Sequence, residues 1–226
     1  MALIVLEGID GSGKSTQFRL LCAYMDALGR DYTRLVFPQY DKPSSALLRM
    51  YLDGDFGTDP SEVNAYAAST FYAVDRYASY KTVWGKAYDA GRGLLLADRY
   101  TTSNAVHQGA KLQGSARRDF FHWLDDFEHE KMELPRPDVV LYMDVPIETA
   151  LQNMRARQSA TGTAPDIHEV GAAYLRQCAG AAEEAAAFYG WHRVSCADGG
   201  QMRPEAEIHQ EILGILADSL PGFCQT

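Results

Sequence analysis

The chain has 226 residues, a formal net charge of −9, 46% hydrophobic residues and 23% charged residues. This is the composition of an ordinary globular protein of one domain, and the negative charge argues against a nucleic-acid binder, which needs a basic face. The longest apolar run, Met1–Leu6, is too short to span a membrane, and no signal peptide is recognisable.

Short apolar runs alternate with helical patterns along the chain. The runs predicted as strands are Leu3–Leu6, Thr33–Phe37, Gly93–Ala97, Val139–Met143 and His192–Cys196. Helices are predicted over residues 15–28, 44–53, 61–90, 104–130, 146–157, 167–189 and 204–219. Helix starts are predicted at Pro60-Ser61 and Pro204, and helix ends at Gly29 and Gly91. This order predicts an α/β fold of three layers, with a parallel five-stranded sheet flanked by helices.

The four cysteines are spaced irregularly along the chain. Cys22, Cys178, Cys196 and Cys224 form no C-x-x-C pair and no metal-ligand pattern. Such cysteines are typical of reduced thiols, so we expect a cytoplasmic protein.

A phosphate-binding loop follows the first predicted strand. Residues 8–15, GIDGSGKS, satisfy the pattern G-x-x-x-x-G-K-[ST] between a strand and a helix. The glycines let backbone N–H groups point at phosphate oxygens, Lys14 adds a positive charge, and the Ser15 hydroxyl suits Mg²⁺. The loop predicts binding of a nucleoside triphosphate, and the absence of an N-K-x-D pattern argues against a GTPase.

Charged side chains stand at a second strand end and on the long helix. Asp98 and Arg99 follow the strand that ends at Ala97, where a carboxylate can orient a metal's waters and an arginine can grip phosphate. Tyr72 and Arg76 share one helix face, which suits a stacked base and a bound phosphate. A tyrosine–arginine stack that only covers the helix explains Tyr72 and Arg76 equally well, whereas an ordinary surface ion pair is the less favoured explanation of Asp98 and Arg99.

A polar segment with two arginines follows the fourth strand and its helix. Residues 154–169 include Arg155, Arg157, Gly162 and Pro165. We interpret residues 155–166 as a short mobile lid that closes an arginine over the transferred phosphate within a single domain of residues 1–226.

Together these motifs resemble thymidylate kinases, a family of P-loop nucleoside-monophosphate kinases. GIDGSGKST, VFPQY, FYAVDR, ADRYTTSNAVHQG, RPDVVLYMDV and RQSATGTAPDIHE stand in the family's order over nearly the whole chain. The resemblance implies transfer of the γ-phosphate of ATP to dTMP, giving dTDP, with Mg²⁺ and as a homodimer.

The resemblance also implies roles for the residues that hold the donor and the metal. Ser15 and Asp98 would serve Mg²⁺, and Lys14, Asp10, Arg99, Arg157 and Arg155 would be catalytic. The donor ATP would lie on Gly8, Ile9, Asp10, Gly11, Ser12, Gly13, Lys14, Ser15 and Thr16. Because Gly11 stands where some members carry a loop arginine, the lid is expected to supply it, from Arg157 before Arg155.

The acceptor pocket implied by the resemblance surrounds dTMP. Tyr72 would stack on thymine, Arg76 would hold the acceptor phosphate, Asn104 would face the base, and Asp10 would bind the 3′-hydroxyl. The full acceptor set is Phe37, Pro38, Tyr40, Tyr72, Arg76, Arg99, Tyr100, Asn104, His107 and Gln108. His107 and Gln108 would close the sugar side, and His107 replaces the usual tyrosine or phenylalanine.

Three other functions stay open on the sequence alone. A deoxynucleoside kinase would need a carboxylate base at the acceptor oxygen and fewer acceptor-side arginines than Arg76 and Arg99 provide. An ATP-binding regulatory protein is opposed by the intact set Lys14, Ser15 and Asp98. A nucleic-acid-dependent ATPase is opposed by the charge of −9.

Overall fold

Five parallel strands form the central sheet of this computed structural model, which describes residues 1–91, 93–161 and 172–223. The strands are β1 (Ala2–Glu7), β2 (Tyr32–Val36), β3 (Leu94–Asp98), β4 (Val139–Asp144) and β5 (His192–Ser195). Their order across the sheet is β2-β3-β1-β4-β5, so β1 lies at the centre with β3 and β4 beside it. The predicted α/β fold with a five-stranded parallel sheet is confirmed.

The central strand is buried on both faces, as its continuous apolar sequence requires. Ile4 and Leu6 belong to a core cluster on one face of the sheet. Leu3 and Val5 belong to a second cluster on the other face, which contains the buried Trp84. Alternate side chains of one strand therefore anchor helical layers on opposite faces of the sheet.

Nine helices are described around this sheet, within the ranges given above. They are α1 (Lys14–Ala27), α2 (Ala46–Leu52), α3 (Ala65–Ser79), α4 (Gly85–Asp89), α5 (Thr102–His107), α6 (Gly114–Asp125), α7 (Ile147–Thr161), α8 (Ala172–Tyr189) and α9 (Glu205–Ser219). The predicted ends at Gly29 and Gly91 are confirmed, because both glycines adopt positive φ just past α1 and α4. The predicted start at Pro204 is confirmed by α9.

Two long predicted helices are interrupted. Pro60 opens only a short 3₁₀ turn, and α3 begins at Ala65 after an Asn64 cap, so the predicted start at Pro60-Ser61 is wrong. Within the span predicted as 104–130, α5 ends at His107, a 3₁₀ turn follows at Gly109–Lys111, and α6 begins at Gly114, whose φ is 57°. Wide π-helical turns at Tyr80–Trp84 and Asp126–Lys131 follow α3 and α6.

The sheet edges also differ slightly from the prediction. Gly93 stays outside β3 because its φ is 78°, and Cys196 lies just past the end of β5. An unpredicted small hairpin follows, in which β6 (Ala197–Asp198) pairs antiparallel with β7 (Gln201–Met202). This hairpin borders the site described below.

Two further predictions concern the cysteines and the membrane. Cys22, Cys178 and Cys196 are free and buried, and Cys224 lies outside the described residues. Among the helices that the structure describes, none is both long and apolar enough to cross a membrane.

Candidate active site

The phosphate loop joins β1 to α1 at the carboxyl edge of the sheet. Gly11 and Gly13 adopt φ values of 82° and 88°, and a side chain on Gly11 would collide with the backbone of Ala150. Asn153 of α7 donates to the Gly11 carbonyl at 2.8 Å. No side chain in the described ranges caps the first turn of α1, so its N–H groups are available to an anion.

Lys14 is drawn into this loop. Its Nζ donates to the carbonyls of Gly8 and Ile9 at 2.6 and 3.0 Å, and the side chain is buried. Burial, together with the positive charge of Arg99, lowers the pKa of Lys14. The ammonium is therefore held among backbone carbonyls at the centre of the loop, where phosphate oxygens would be stronger partners.

A cavity of about 510 Å³ extends from this loop, and we call it the loop cavity. Its lining from the loop, β3 and the following turn includes Asp10, Gly11, Ser12, Gly13, Lys14, Ser15, Thr16, Asp98 and Arg99. Its far side is formed by α7, the β6–β7 hairpin and α9, through Asn153, Arg157, Met202, Arg203 and Ile208. β1 pairs with β3, and Leu6 lies opposite Asp98. The phosphate loop that follows β1 and the Asp98 carboxylate at the end of β3 therefore lie side by side.

Ser15 and Asp98 provide the oxygen atoms that a small hard cation prefers. One contributes a hydroxyl and the other a carboxylate to the same cavity, beside the phosphate-binding loop. No cluster of three or more His, Cys, Asp or Glu side chains suited to a metal occurs in the part of the chain that the structure describes. The donor set therefore fits a cation that takes its remaining ligands from phosphates and water.

Arg99 is held at the junction of β3 and α5 by several partners. Its backbone has a φ of 65°, unusual for a residue with a side chain, which turns the chain away from the sheet. Its Nη2 donates to Asp10 Oδ1 at 2.5 Å. Burial opposes the ionisation of Asp10, but the charges of Arg99 and Lys14 outweigh it and hold the pKa of Asp10 below its usual range.

Glu7 ties the phosphate loop to α5 and was not predicted. This fully buried carboxylate accepts from the Gly8 N–H at 2.9 Å and from the hydroxyls of Thr102 and Ser103 at 2.7 and 2.6 Å. It also lies 3.6 Å from Arg99 Nη1. An acidic residue at the end of an apolar strand, directly before the loop glycine, was the available sequence signal.

A second cavity of about 100 Å³ opens beside the first, and we call it the side cavity. Its lining is Asp10, Phe37, Pro38, Leu52, Tyr72, Arg76, Arg99, Tyr100, Ser103 and His107. Asp10, Phe37 and Arg99 line both cavities. The two cavities thus share one wall, and that wall carries the Asp10–Arg99 ion pair.

Arg76 of the side cavity is held from behind by Glu128, which is not part of the described lining. This buried carboxylate accepts from the Nε and Nη2 atoms of Arg76, which is 1% exposed, and from Asn104 Nδ2 at 2.9 Å. Glu128 lies in the π-helical turn after α6, which directs it inward. A contact between residues 52 positions apart leaves no trace in a single sequence, so Glu128 was not predicted.

Tyr40 and Gln108 are predicted site residues that line neither cavity in the part of the chain that the structure describes. Tyr40 is 51% exposed and lies outside both cavities, as far as the structure describes their walls. Gln108 is fully buried, and its amide atoms find no partner among residues 1–91, 93–161 and 172–223.

Asp75 accepts from the Gln39 N–H at 2.8 Å and from Ser44, which fixes the loop that carries Phe37 and Pro38.

The predicted lid falls partly on described residues. Residues 155–161 are helical and continue α7, while 162–166, with Gly162 and Pro165, lie outside the described ranges. Arg157 lines the loop cavity, whereas Arg155 is exposed and does not belong to the described lining. Of the two candidate arginines, Arg157 is therefore the one brought to the phosphate loop.

A phosphate loop on a parallel sheet, with a second polar cavity across a shared arginine, defines a P-loop phosphotransferase with a separate acceptor site. Comparison with known proteins identifies the family within this class. The thymidylate kinase family model matches residues 6–192. The chain is 34% identical over 193 residues to a thymidylate kinase of Mycobacterium tuberculosis, covering 84% of this chain and 87% of the relative.

Two further relatives come from distant organisms. A thymidylate kinase of Ruegeria pomeroyi is 31% identical, with 70% of this chain and 69% of the relative covered. The human thymidylate kinase is also 31% identical, with 66% of this chain and 63% of the relative covered. The chain belongs to the thymidylate kinase family.

Replacing Glu7 with glutamine tests the buried carboxylate. In E7Q a neutral amide replaces the carboxylate that accepts from the Gly8 N–H and the Thr102 hydroxyl. We therefore expect the free energy of unfolding, measured by urea titration, to fall by about 1–3 kcal/mol. The matched control is E183Q, since Glu183 is 61% exposed and its substitution should stay within about 0.5 kcal/mol. Equal effects of the two substitutions would contradict the structural role of Glu7.

Proposed function

We propose that this protein transfers the γ-phosphate of ATP to dTMP, giving dTDP. The observation that carries the proposal is the shared wall of Asp10, Phe37 and Arg99 between the loop cavity and the side cavity. A donor phosphate chain on the loop and an acceptor phosphate in the side cavity would meet at Arg99. Family membership supplies the identity of the two nucleotides.

The donor would bind with its phosphates on the loop and its base toward the hairpin and α9. Backbone N–H groups and Lys14 would contact the β- and γ-phosphates. Ser15 and Asp98 would hold Mg²⁺, which neutralises phosphate charge when bound. Loop residues 10–16 and Arg157 line the same cavity, so they reach a bound donor without movement of the sheet.

The acceptor base would lie between Tyr72 and the Phe37-Pro38 wall in the side cavity. Arg76 is 1% exposed and donates both Nε and Nη2 to buried Glu128, whereas Arg99 is 18% exposed and lines both cavities, so Arg99 is better placed to meet a phosphate. We therefore assign Arg76, which lines the cavity, to the polar edge of the base, with Asn104 behind it through Glu128, and revise the expectations that Arg76 holds the phosphate and that Asn104 faces the base.

Arg99 takes over the acceptor phosphate in this arrangement. It lies at the junction of both cavities, 18% exposed, and Asp10 beside it is placed to accept from the sugar 3′-hydroxyl. His107 lines the same cavity on the sugar side, and Tyr100 closes its floor. Tyr40 and Gln108 lie outside the cavity and receive no direct role.

Transfer requires alignment and charge neutralisation rather than a strong base. The acceptor oxygen of a monophosphate is already anionic, so no carboxylate has to remove a proton from it. Lys14, Arg99 and Arg157 surround the position of the transferred phosphate with positive charge. Closure of the lid would exclude water and suppress hydrolysis of ATP.

We also propose that the protein is a homodimer, as the family resemblance implies. Large apolar side chains are exposed on two adjoining helices, α2 and α3, and on the turn that follows α3. They are Leu47, Met50, Val74, Tyr77 and Val83, with exposures of 37% to 61%. An apolar face of this kind is typical of a contact between subunits.

The cytoplasmic location stays a prediction.

The proposed reaction is tested by product formation with a panel of acceptors. We expect dTDP from dTMP with ATP and Mg²⁺, weaker turnover of dUMP, and none of thymidine, with loss of turnover in excess EDTA. Turnover of thymidine without dTMP would contradict the proposal in favour of a nucleoside kinase. ATP binding without turnover of any acceptor would favour a regulatory role.

The homodimer is tested by light scattering after size-exclusion chromatography. The double substitution V74D/Y77D places charges on the apolar face, so we expect a dimer to become a monomer. The control A116D adds a charge to an exposed position of α6 and should remain dimeric. A monomeric unsubstituted protein, or a dimeric V74D/Y77D, would contradict this surface.

A further inference from the structure

The imidazole of His107 is held between the Arg99 guanidinium and helix α8. Its Nε2 lies 2.9 Å from Arg99 Nη1, and its Nδ1 lies 3.7 Å from Cys178 Sγ. Its backbone carbonyl accepts from the hydroxyl of Tyr174, also on α8. The residue is only 7% exposed, so the ring has a defined position with partners at both nitrogens.

The chemistry of the partners fixes where the ring proton lies. A guanidinium only donates hydrogen bonds, so Nε2 of His107 must be the acceptor and carry no proton. A neutral ring then has its proton on Nδ1, directed at the sulfur of Cys178. Burial raises the pKa of Cys178 to about 12, so the sulfur is a neutral thiol and a weak acceptor.

We propose that His107, as the neutral Nδ1–H tautomer, is a positioning residue for Arg99. This inference rests on the proposed function, in which Arg99 holds the acceptor phosphate. Asp10 fixes Nη2 of the guanidinium and His107 fixes Nη1, with Ser103 more distant at 3.4 Å. Two anchored nitrogens set the plane of the guanidinium, which decides where its remaining donors point.

A neutral acceptor suits this position better than a second carboxylate would. Asp10 and Glu7 already oppose the positive charge of Arg99, at 2.5 and 3.6 Å. A further negative charge at residue 107 would weaken the attraction of Arg99 for a phosphate. The imidazole orients the guanidinium and leaves its charge unchanged.

Protonation of His107 would abolish this arrangement. A proton on Nε2 would face Nη1 of Arg99, so two cations would meet where a hydrogen bond existed. Arg99 faces the ring at Nε2 and Cys178 faces it at Nδ1, Asp10 interacts with it electrostatically, Glu7 and Ser103 lie behind it on Arg99, and Tyr174 binds its backbone carbonyl.

Three variants separate this role from simple packing. His107→Gln keeps an acceptor oxygen near the position of Nε2 and does not titrate, whereas His107→Phe fills the space without an acceptor. At about pH 8 we expect kcat to fall roughly tenfold in H107F and at most about threefold in H107Q. The control H122Q alters an exposed histidine of α6 and should match the unsubstituted protein.

The pH dependence gives a readout that packing alone would not move. The kcat of the unsubstituted protein should fall on acidification as the His107 ring becomes protonated, because a cationic ring no longer accepts from Arg99. The ratio of kcat for H107Q to that of the unsubstituted protein should rise as the ring is protonated, because ionisation of the substrate phosphates cancels in the ratio. A ratio that stays constant down to a pH at which the ¹⁵N spectrum shows His107 to be protonated would overturn the inference.

The tautomer can be observed without any substrate. In protein labelled with ¹⁵N at its histidines, the signal absent from H107Q identifies His107 in long-range ¹H–¹⁵N spectra. We expect an unprotonated Nε2 and a protonated Nδ1 at about pH 8. The opposite tautomer would overturn the inference even if dTMP is phosphorylated. If dTMP were not phosphorylated, the proposed function would be contradicted, but the spectrum would still show which ring nitrogen of His107 carries the proton.

Discussion

The adjacency of β1 and β3 at the centre of a parallel sheet places the phosphate loop, Asp98 and Arg99 at one edge of the sheet. The Arg99 N–H donates to the Leu6 carbonyl at 3.2 Å, so the arginine begins where the ladder between the two strands ends. Its left-handed backbone then directs the side chain toward Asp10. This conformation is unfavourable for a residue with a side chain, and the ion pair with Asp10 and the proximity of Glu7 offset that cost.

Much of the fold could be predicted from local sequence, because its signals are local. Continuous apolar runs marked the five strands, and the order of strands and helices indicated a parallel sheet. The loop residues 8–15 were recognisable because glycine, lysine and serine must stand at fixed spacing to hold phosphate. The rule that sites lie at the carboxyl ends of strands then selected Asp98 and Arg99.

The rest depends on contacts between residues far apart in sequence. Glu128 reaches Arg76 from a π-helical turn that the continuous helical pattern of residues 104–130 concealed. In the proposed function this pairing is the reason why Arg76 is assigned to the base and not to the acceptor phosphate. Glu7 was overlooked as the last residue of a strand, although it accepts from three groups around the loop.

The most direct test of this account is the substitution R99M, with kcat and the two nucleotide affinities measured separately. If Arg99 joins the two cavities, kcat for dTMP should fall at least about a hundredfold, because the charge between the phosphates is lost. Dissociation constants for ATP, held mainly by the loop, should change less than about tenfold. A kcat within about threefold of the unsubstituted protein would contradict the central role of Arg99.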